Sequence, residues 1–199
     1  MANSGIFLVN DVVDLIKHKQ FPSGDSIELI QTQNVTEVKN TTFSNIAEDE
    51  YSVHFMTISN LQSRRGSQNL GIRFLESGVL ESGSVYDYSM RSVSLTDSAA
   101  TAAATNGTYI RLDNTGSESW INNFYIYFYN LGAPDIISSC TIHRTGHRIN
   151  TSGAYNASGT YMALGGGLLR QRSKVDGIVI HNSAFGDSAT YSLYGIRGS

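Results

Sequence analysis

Residues 121–130 read INNFYIYFYN, a run that is apolar or aromatic on both of its faces. Successive side chains of an extended chain point to opposite sides. Phe124, Ile126 and Phe128 therefore share one side, and Tyr125, Tyr127 and Tyr129 share the other. Period-2 alternation of aromatic and β-branched residues predicts a strand. One face is expected in a core. The tyrosine face is expected to meet another protein surface or a sugar, because a tyrosine ring joins a flat apolar body to a hydroxyl that needs a polar partner. Packing of the same rings beneath a loop, hydroxyls wet, is the plainer alternative.

The same texture runs outward from this strand in both directions. Short β segments are predicted at 26–32, 37–43, 51–59, 69–76, 84–95 and 108–113, then at 119–130, 135–144, 159–166, 175–182 and 189–196. Tyr51, Val53 and Phe55 share a face, as do Leu70, Ile72 and Phe74. In the last segment Tyr191 and Leu193 point one way and Thr190, Ser192 and Tyr194 the other, so the chain closes on a strand held in a sheet rather than on a frayed tail. Close spacing and Gly/Ser/Asn turns, with only two prolines, indicate antiparallel β structure, a sandwich or barrel. Helical crossovers between strands are missing from the pattern, which argues against a parallel α/β fold. Two stretches read as exposed loops: TDSAATAAATNGT (96–108) and RTGHRINTSGAYNASGT (144–160).

One segment has helical spacing. In VNDVVDLIKHKQ (9–20) Val9, Val12, Val13 and Ile16 fall at i, i+3, i+4 and i+7, with Asn10 as N-cap and Lys17, His18 and Lys19 in the last turn. Residues 1–24 are accordingly expected to form an arm with a short amphipathic helix, either lying across one end of the sandwich of residues 25–199 or docking on a partner.

Composition narrows the function classes. A chain of 199 residues can bury roughly 70% of its unfolded surface in one domain. Its net charge of −3 offers no long-range attraction to nucleic acid or an anionic membrane, and neither partner is expected. Charged residues make up 16%, against about 25% in ordinary globular chains. Neutral hydroxyls and amides take their place, and these cost less to desolvate against a neighbour than charges do. The lone Cys140 can form no internal disulfide and is expected as a small buried side chain. The first residues, MANSGIFLVNDVVDLIKH, lack a basic start and a small-residue cleavage site, so no secretory leader is expected.

No catalytic pattern stands out. His143 and His147 are spaced i, i+4, but that spacing brings imidazoles together only on a helix, and Gly146 with strand-like flanks argues for a strand end and turn. His54 and His181 read as sheet residues with satisfied ring nitrogens. ALGGGLL (163–169) lacks the lysine of a phosphate loop, and no Gly-x-Ser-x-Gly elbow occurs. Glu76 and Glu81 lie at a strand end and turn, and no cofactor or metal is expected. The contact candidates are Val9, Val12, Val13 and Ile16 on the arm; Trp120, Tyr125, Tyr127 and Tyr129 as aromatic anchors; Arg144 and His147 on the second loop; and Arg170 and Arg172 as a small basic cluster able to bridge subunits.

EYSVHFMTISNL (50–61), LGIRFLESGVLESGSVYDYSM (70–90) and GIVIHNSAFGDSATYSLYGI (177–196) each join aromatic-rich strands through Gly/Ser turns in a hydroxyl-rich background. In this texture, over residues 26–196, the chain resembles the small virion structural proteins of tailed phages of marine and freshwater bacteria. The resemblance implies a jelly-roll-like β-sandwich at the particle surface, made in the host cytoplasm and acting by assembly rather than catalysis. A capsid decoration or cement role is expected, with a tail-fibre or receptor-binding module as the near alternative. The partners implied are further copies of the chain, as a dimer or trimer, the capsid or tail proteins, and in the alternative a host-surface glycan.

Overall fold

The computed structural model describes residues 27–63, 69–95, 99–114, 120–149, 155–182 and 187–197. Among these residues there are thirteen strands and no helix. In chain order they are β1 (Ile27–Val38), β2 (Asn40–Ser44), β3 (Val53–Ser63), β4 (Asn69–Glu76), β5 (Val79–Leu80), β6 (Tyr86–Ser94) and β7 (Ala99–Gly107). There follow β8 (Ile110–Asn114), β9 (Trp120–Tyr129), β10 (Ile137–Ile149), β11 (Tyr155–Arg172), β12 (Gly177–Asn182) and β13 (Asp187–Ile196). The arm helix expected over Val9, Val12, Val13 and Ile16 lies outside the described residues.

The strands form two antiparallel sheets packed as a sandwich. The larger has eight strands in the order β1-β13-β3-β9-β10-β11-β6-β7, and the smaller runs β2-β12-β4-β5 with β8 also paired to β4. The chain passes repeatedly between the sheets: β1, β3 and β13 belong to the larger, while β2, β4 and β12 belong to the smaller. The corner between β1 and β2 is a single residue, Lys39, whose carbonyl accepts the Asn182 N–H. Two strands therefore stand where one was expected over 37–43. Glu37, at φ 58°, turns the backbone there.

The deciding run, β9, sits in the middle of the large sheet between β3 and β10. Phe124, Ile126 and Phe128 are buried in the core, facing the small sheet's Phe43, Phe74, Ile178 and Ile180. Phe74 and Phe128 meet edge to face across the interlayer space, with centroids 6.2 Å apart. Burying each such side chain contributes roughly 1.5–3 kcal/mol. Tyr86 is fully buried yet satisfied: its hydroxyl accepts the Phe74 N–H at 3.0 Å and donates to the Glu81 carbonyl at 3.1 Å. Burial pushes its pKa up to about 12. The Cys140 thiol is buried too and likewise pushed up to about 12, so it packs as a small apolar group.

Both expected loops turn out to be largely strand. Residues 99–107 form β7, an edge of the large sheet paired with β6. Its inner face is half-covered at Ala102 and Ala104, but alanine also stands at exposed Ala103, so the sequence carries no apolar–polar alternation to mark the strand. Of the segment 144–160, residues 144–149 lie in β10 and 155–160 in β11, and the two strands pair as far as Ile149 with Tyr155. ALGGGLL lies inside β11. A Cβ at Gly167 would stand 2.5 Å from Cγ2 of Ile110 on β8 and 2.9 Å from the Asp87 carbonyl oxygen, so glycine is what lets the small sheet approach here.

Candidate functional site

Every strand of the large sheet has an inner face on the core and an outer face. Register across the strands assembles the outer face row by row. One row reads Leu29, Tyr194, Phe55, Tyr127, Thr141, Gly166, Ser89 and Ala103; the next reads Thr32, Ser192, Thr57, Tyr125, His143, Leu164, Arg91 and Thr101. Arg91 is the one side chain with a permanent charge in these two rows. Phe55 is the hub of an aromatic cluster, 4.7 Å from the Tyr127 centroid, 5.9 Å from Tyr194 and 6.1 Å from Tyr125. The Tyr125 ring lies within 18° of parallel to Phe55 and is 55% exposed. Tyr129 is half-buried, its hydroxyl 3.4 Å from Oγ1 of Thr141.

Toward β6 the face becomes aliphatic. Leu164 (54% exposed) and Met162 (58%) stand beside Val93 and Leu95. With Arg91 and Thr160 these line a shallow apolar groove of about 310 Å³. More than half of the ten exposed large hydrophobic side chains among the described residues lie on this face by register, among them Ile27, Leu29, Val93, Tyr125, Met162 and Leu164. Contiguous apolar surface of this kind marks an interaction site, whereas singly scattered apolar residues do not.

The other sequence candidates divide. Arg144, expected on an exposed loop, is buried with 2% exposure, because β10 continues through it and places it on the same face as Cys140 and Ile142. Its Nη2 and Nε donate to Oδ1 of Asn122 at 2.7 and 3.3 Å, and its guanidinium lies 4.3 Å from the Tyr161 ring centroid. The Tyr161 hydroxyl donates to the same Asn122 oxygen at 2.7 Å. Gly146 makes room, since a Cβ there would be 2.7 Å from that oxygen. Trp120 packs on Tyr161, centroids 4.9 Å apart, and so belongs with this buried polar cluster rather than with the tyrosine face. His147 is half-buried on the strand and alternates to the side of His143 and Thr145. Four strand residues separate the two imidazoles by about 13 Å along the chain.

Arg170 is exposed, 3.7 Å from the Asp87 carboxylate and hydrogen-bonded to Asn106, an ion pair within the chain. Lys174 pairs likewise with Glu48 (3.2 Å) and Asp49 (2.5 Å). Arg172 is exposed. The Glu76 and Glu81 carboxylates share one partner, the Gln171 amide, at 2.7 and 2.9 Å. His54, expected with satisfied nitrogens, is half so: Nε2–H donates to the Ile46 carbonyl at 2.8 Å, while Nδ1 has no partner among the described residues. No group of three His, Cys, Asp or Glu that could hold a metal occurs among the described residues.

Sequence reasoning located Tyr125, Tyr127 and Tyr129 but missed Phe55, Tyr194, Met162 and Leu164. The run HFMTI (54–58) is apolar on both faces, so pattern alone does not say which side is the core. For Met162 and Leu164 the signal was their alternation with Ala163 and Gly165 in GTYMALGG.

What the fold and face define is an antiparallel β-sandwich with a broad, nearly uncharged outer surface. No protein-family model matches the chain, and no curated relative matches it. Solved structures align weakly. A fructofuranosidase variant from Schwanniomyces occidentalis complexed with fructosylnystose aligns at 11% identity, over 88% of this chain and 35% of its own, with a TM-score of 0.19. A polysaccharide lyase of family 18, aly-SJ02, aligns at 9% identity over 85% and 94%, TM-score 0.26. An infectious bursal disease virus structure, Gx strain, aligns at 11% identity over 90% and 38%, TM-score 0.13. The chain thus spans about a third of the fructofuranosidase, and at these TM-scores none of the three decides a function.

Proposed function

We propose that the chain is a non-catalytic structural protein of a virus particle, of the tailed-phage type its sequence texture resembles. On this reading it binds neighbouring shell subunits through the outer face of its large sheet, as a capsid decoration or cement protein. The observation that carries the reading is the outer face that runs from half-buried Tyr194 and Phe55 through exposed Tyr125 to exposed Leu164 and Met162, with Arg91 the one permanent charge in its two central rows. Interface cores are depleted of charge and enriched in Tyr, Phe and Met in just this way. A tail-fibre position would use the same face on a different partner.

The test is to add purified protein to particles that lack it and count bound copies. Head-bound binding in many copies per particle, weakened at least tenfold by a Tyr125→Ser, Leu164→Ser double variant whose melting temperature is unchanged, supports the reading. Absence from particles, or full binding by the variant, overturns it.

A second reading has its own observation. Tyr125, stacked near-parallel on half-buried Phe55 and itself exposed, with Thr57, Thr141 and His143 beside it, offers a ring edged by hydrogen-bonding groups, the kind of group on which a sugar ring stacks. Binding on a glycan array that is lost with Tyr125→Ala favours it, and a flat array removes it.

A further inference from the structure

The cover that the small sheet gives the large one thins at the β7 end. There β8, paired with β4, is the strand that lies over β6 and β11. Under it the inner face is sealed, with Met90 and Ala163 at 3% and 1% exposure. One strand further out, on β7, Ala102 is half-buried and Ala100 is exposed. Register sets Ala163, Ser92 and Ala100 in one inner row and Met90 and Ala102 in the next. Between these rows and Arg111 of β8 lies a cavity of about 270 Å³. It opens between the layers, on the opposite side of the large sheet from the apolar groove of Met162 and Leu164.

The lining is sorted by chemistry. Met90 and Ala163 belong to the core, so the cavity has an apolar floor. Ala100 and Ala102 carry only methyl groups, and a branched side chain at 102 would occupy the space. Ser92 brings a hydroxyl whose Oγ stands 3.4 Å from the Ala100 carbonyl oxygen, the weak end of the hydrogen-bond range, so it can turn to a better acceptor. Arg111, half-buried, is the one lining residue with an ionisable side chain. Its guanidinium has five N–H donors, so a contact made on one side leaves donors for a second acceptor. A concave, mainly apolar space with a few polar groups at one side is how small-ligand sites are built, in volumes from about 300 Å³ upward. A cation and a hydroxyl donor at that side select an anion, and a carboxylate matches the planar guanidinium best.

We propose that this cavity is a binding site for a short aliphatic carboxylate, its carboxylate group on Arg111 and Ser92 and its apolar body on Met90, Ala163 and Ala102. The size of the space holds the ligand to a chain of roughly six carbons or fewer. The site lies inside the sandwich, so it stands whatever the outer face binds.

The test is a methyl-detected NMR titration of the full chain with hexanoate, and with 1-hexanol as the uncharged control. The Met90, Ala102 and Ala163 methyl signals are expected to shift together and saturate at millimolar hexanoate or below, with hexanol at least tenfold weaker. Arg111→Met is expected to weaken hexanoate at least tenfold and leave hexanol unchanged. Ala102→Leu fills the cavity and is expected to abolish binding of both, and an unchanged melting curve verifies that each variant is folded. Should Arg111→Met fail to fold, Ala102→Leu and the hexanol comparison decide alone. Methyl signals that do not saturate, hexanol bound as tightly as hexanoate, or hexanoate bound undiminished by Ala102→Leu or by folded Arg111→Met would each overturn the proposal.

Discussion

Asn122 concentrates more polar work on one buried side chain than any residue of the tyrosine face. Its Oδ1 accepts from Arg144 and from Tyr161, and its Nδ2 donates to the Leu61 carbonyl at 3.4 Å. Removing that oxygen leaves a guanidinium and a hydroxyl without a shared acceptor, so Asn122→Ala should cost about 2–4 kcal/mol in urea unfolding. Its neighbour Asn123 only caps the exposed Asn60 N–H, and Asn123→Ala should cost less than about 1 kcal/mol. Equal costs would remove this view of the cluster. His54 gives a pH signature. Burial holds its pKa below 6.5, and His181 is held low by burial and by Arg73 and Lys39. The unfolded chain therefore takes up protons first, and stability present above pH 6.5 declines as pH falls through 6.5 toward the folded-state values. Melting temperature should drop over that window, and His54→Gln should flatten the slope. An unchanged slope would show that this imidazole is not the group responsible.

Among the elements, β11 shows what a pattern can and cannot tell. The segment 159–166 is expected as a strand and ends there within the glycine run, yet the run is the thin middle of a longer strand flanked by β10 and β6. Only the neighbour explains it: Ile110 descends onto Gly167 from the other sheet. Gly167→Ala should push β8 away and lower stability by about 1–3 kcal/mol, read as a fall in melting temperature; a neutral substitution would mean the sheets can move apart there without cost. By contrast β9 and β13 were legible because each alternates between a core and a half-exposed face, the case period 2 encodes. Arg144 was misplaced for the same reason in reverse: a buried arginine looks like a surface one until Asn122 and Tyr161 are seen beside it.

At the scale of the whole molecule, a two-layer sandwich leaves the apolar outer face of its large sheet outside. The small sheet covers the inner face of the large one, and among the described residues no third layer lies over Phe55, Tyr125, Met162 and Leu164. The antiparallel class was readable from strand spacing alone; which face lay inside depended on register across five or more strands, which no local window contains. If the outer face is where the protein works, hydroxyl-radical footprinting of free and particle-bound protein tests it directly. Met162 and Tyr125 should oxidise fast in the free chain and become at least fivefold slower on the particle, while exposed Ile136, outside these cross-strand rows, keeps its rate. Equal rates at Met162 and Tyr125 in both states would contradict the claim that this face makes the contact.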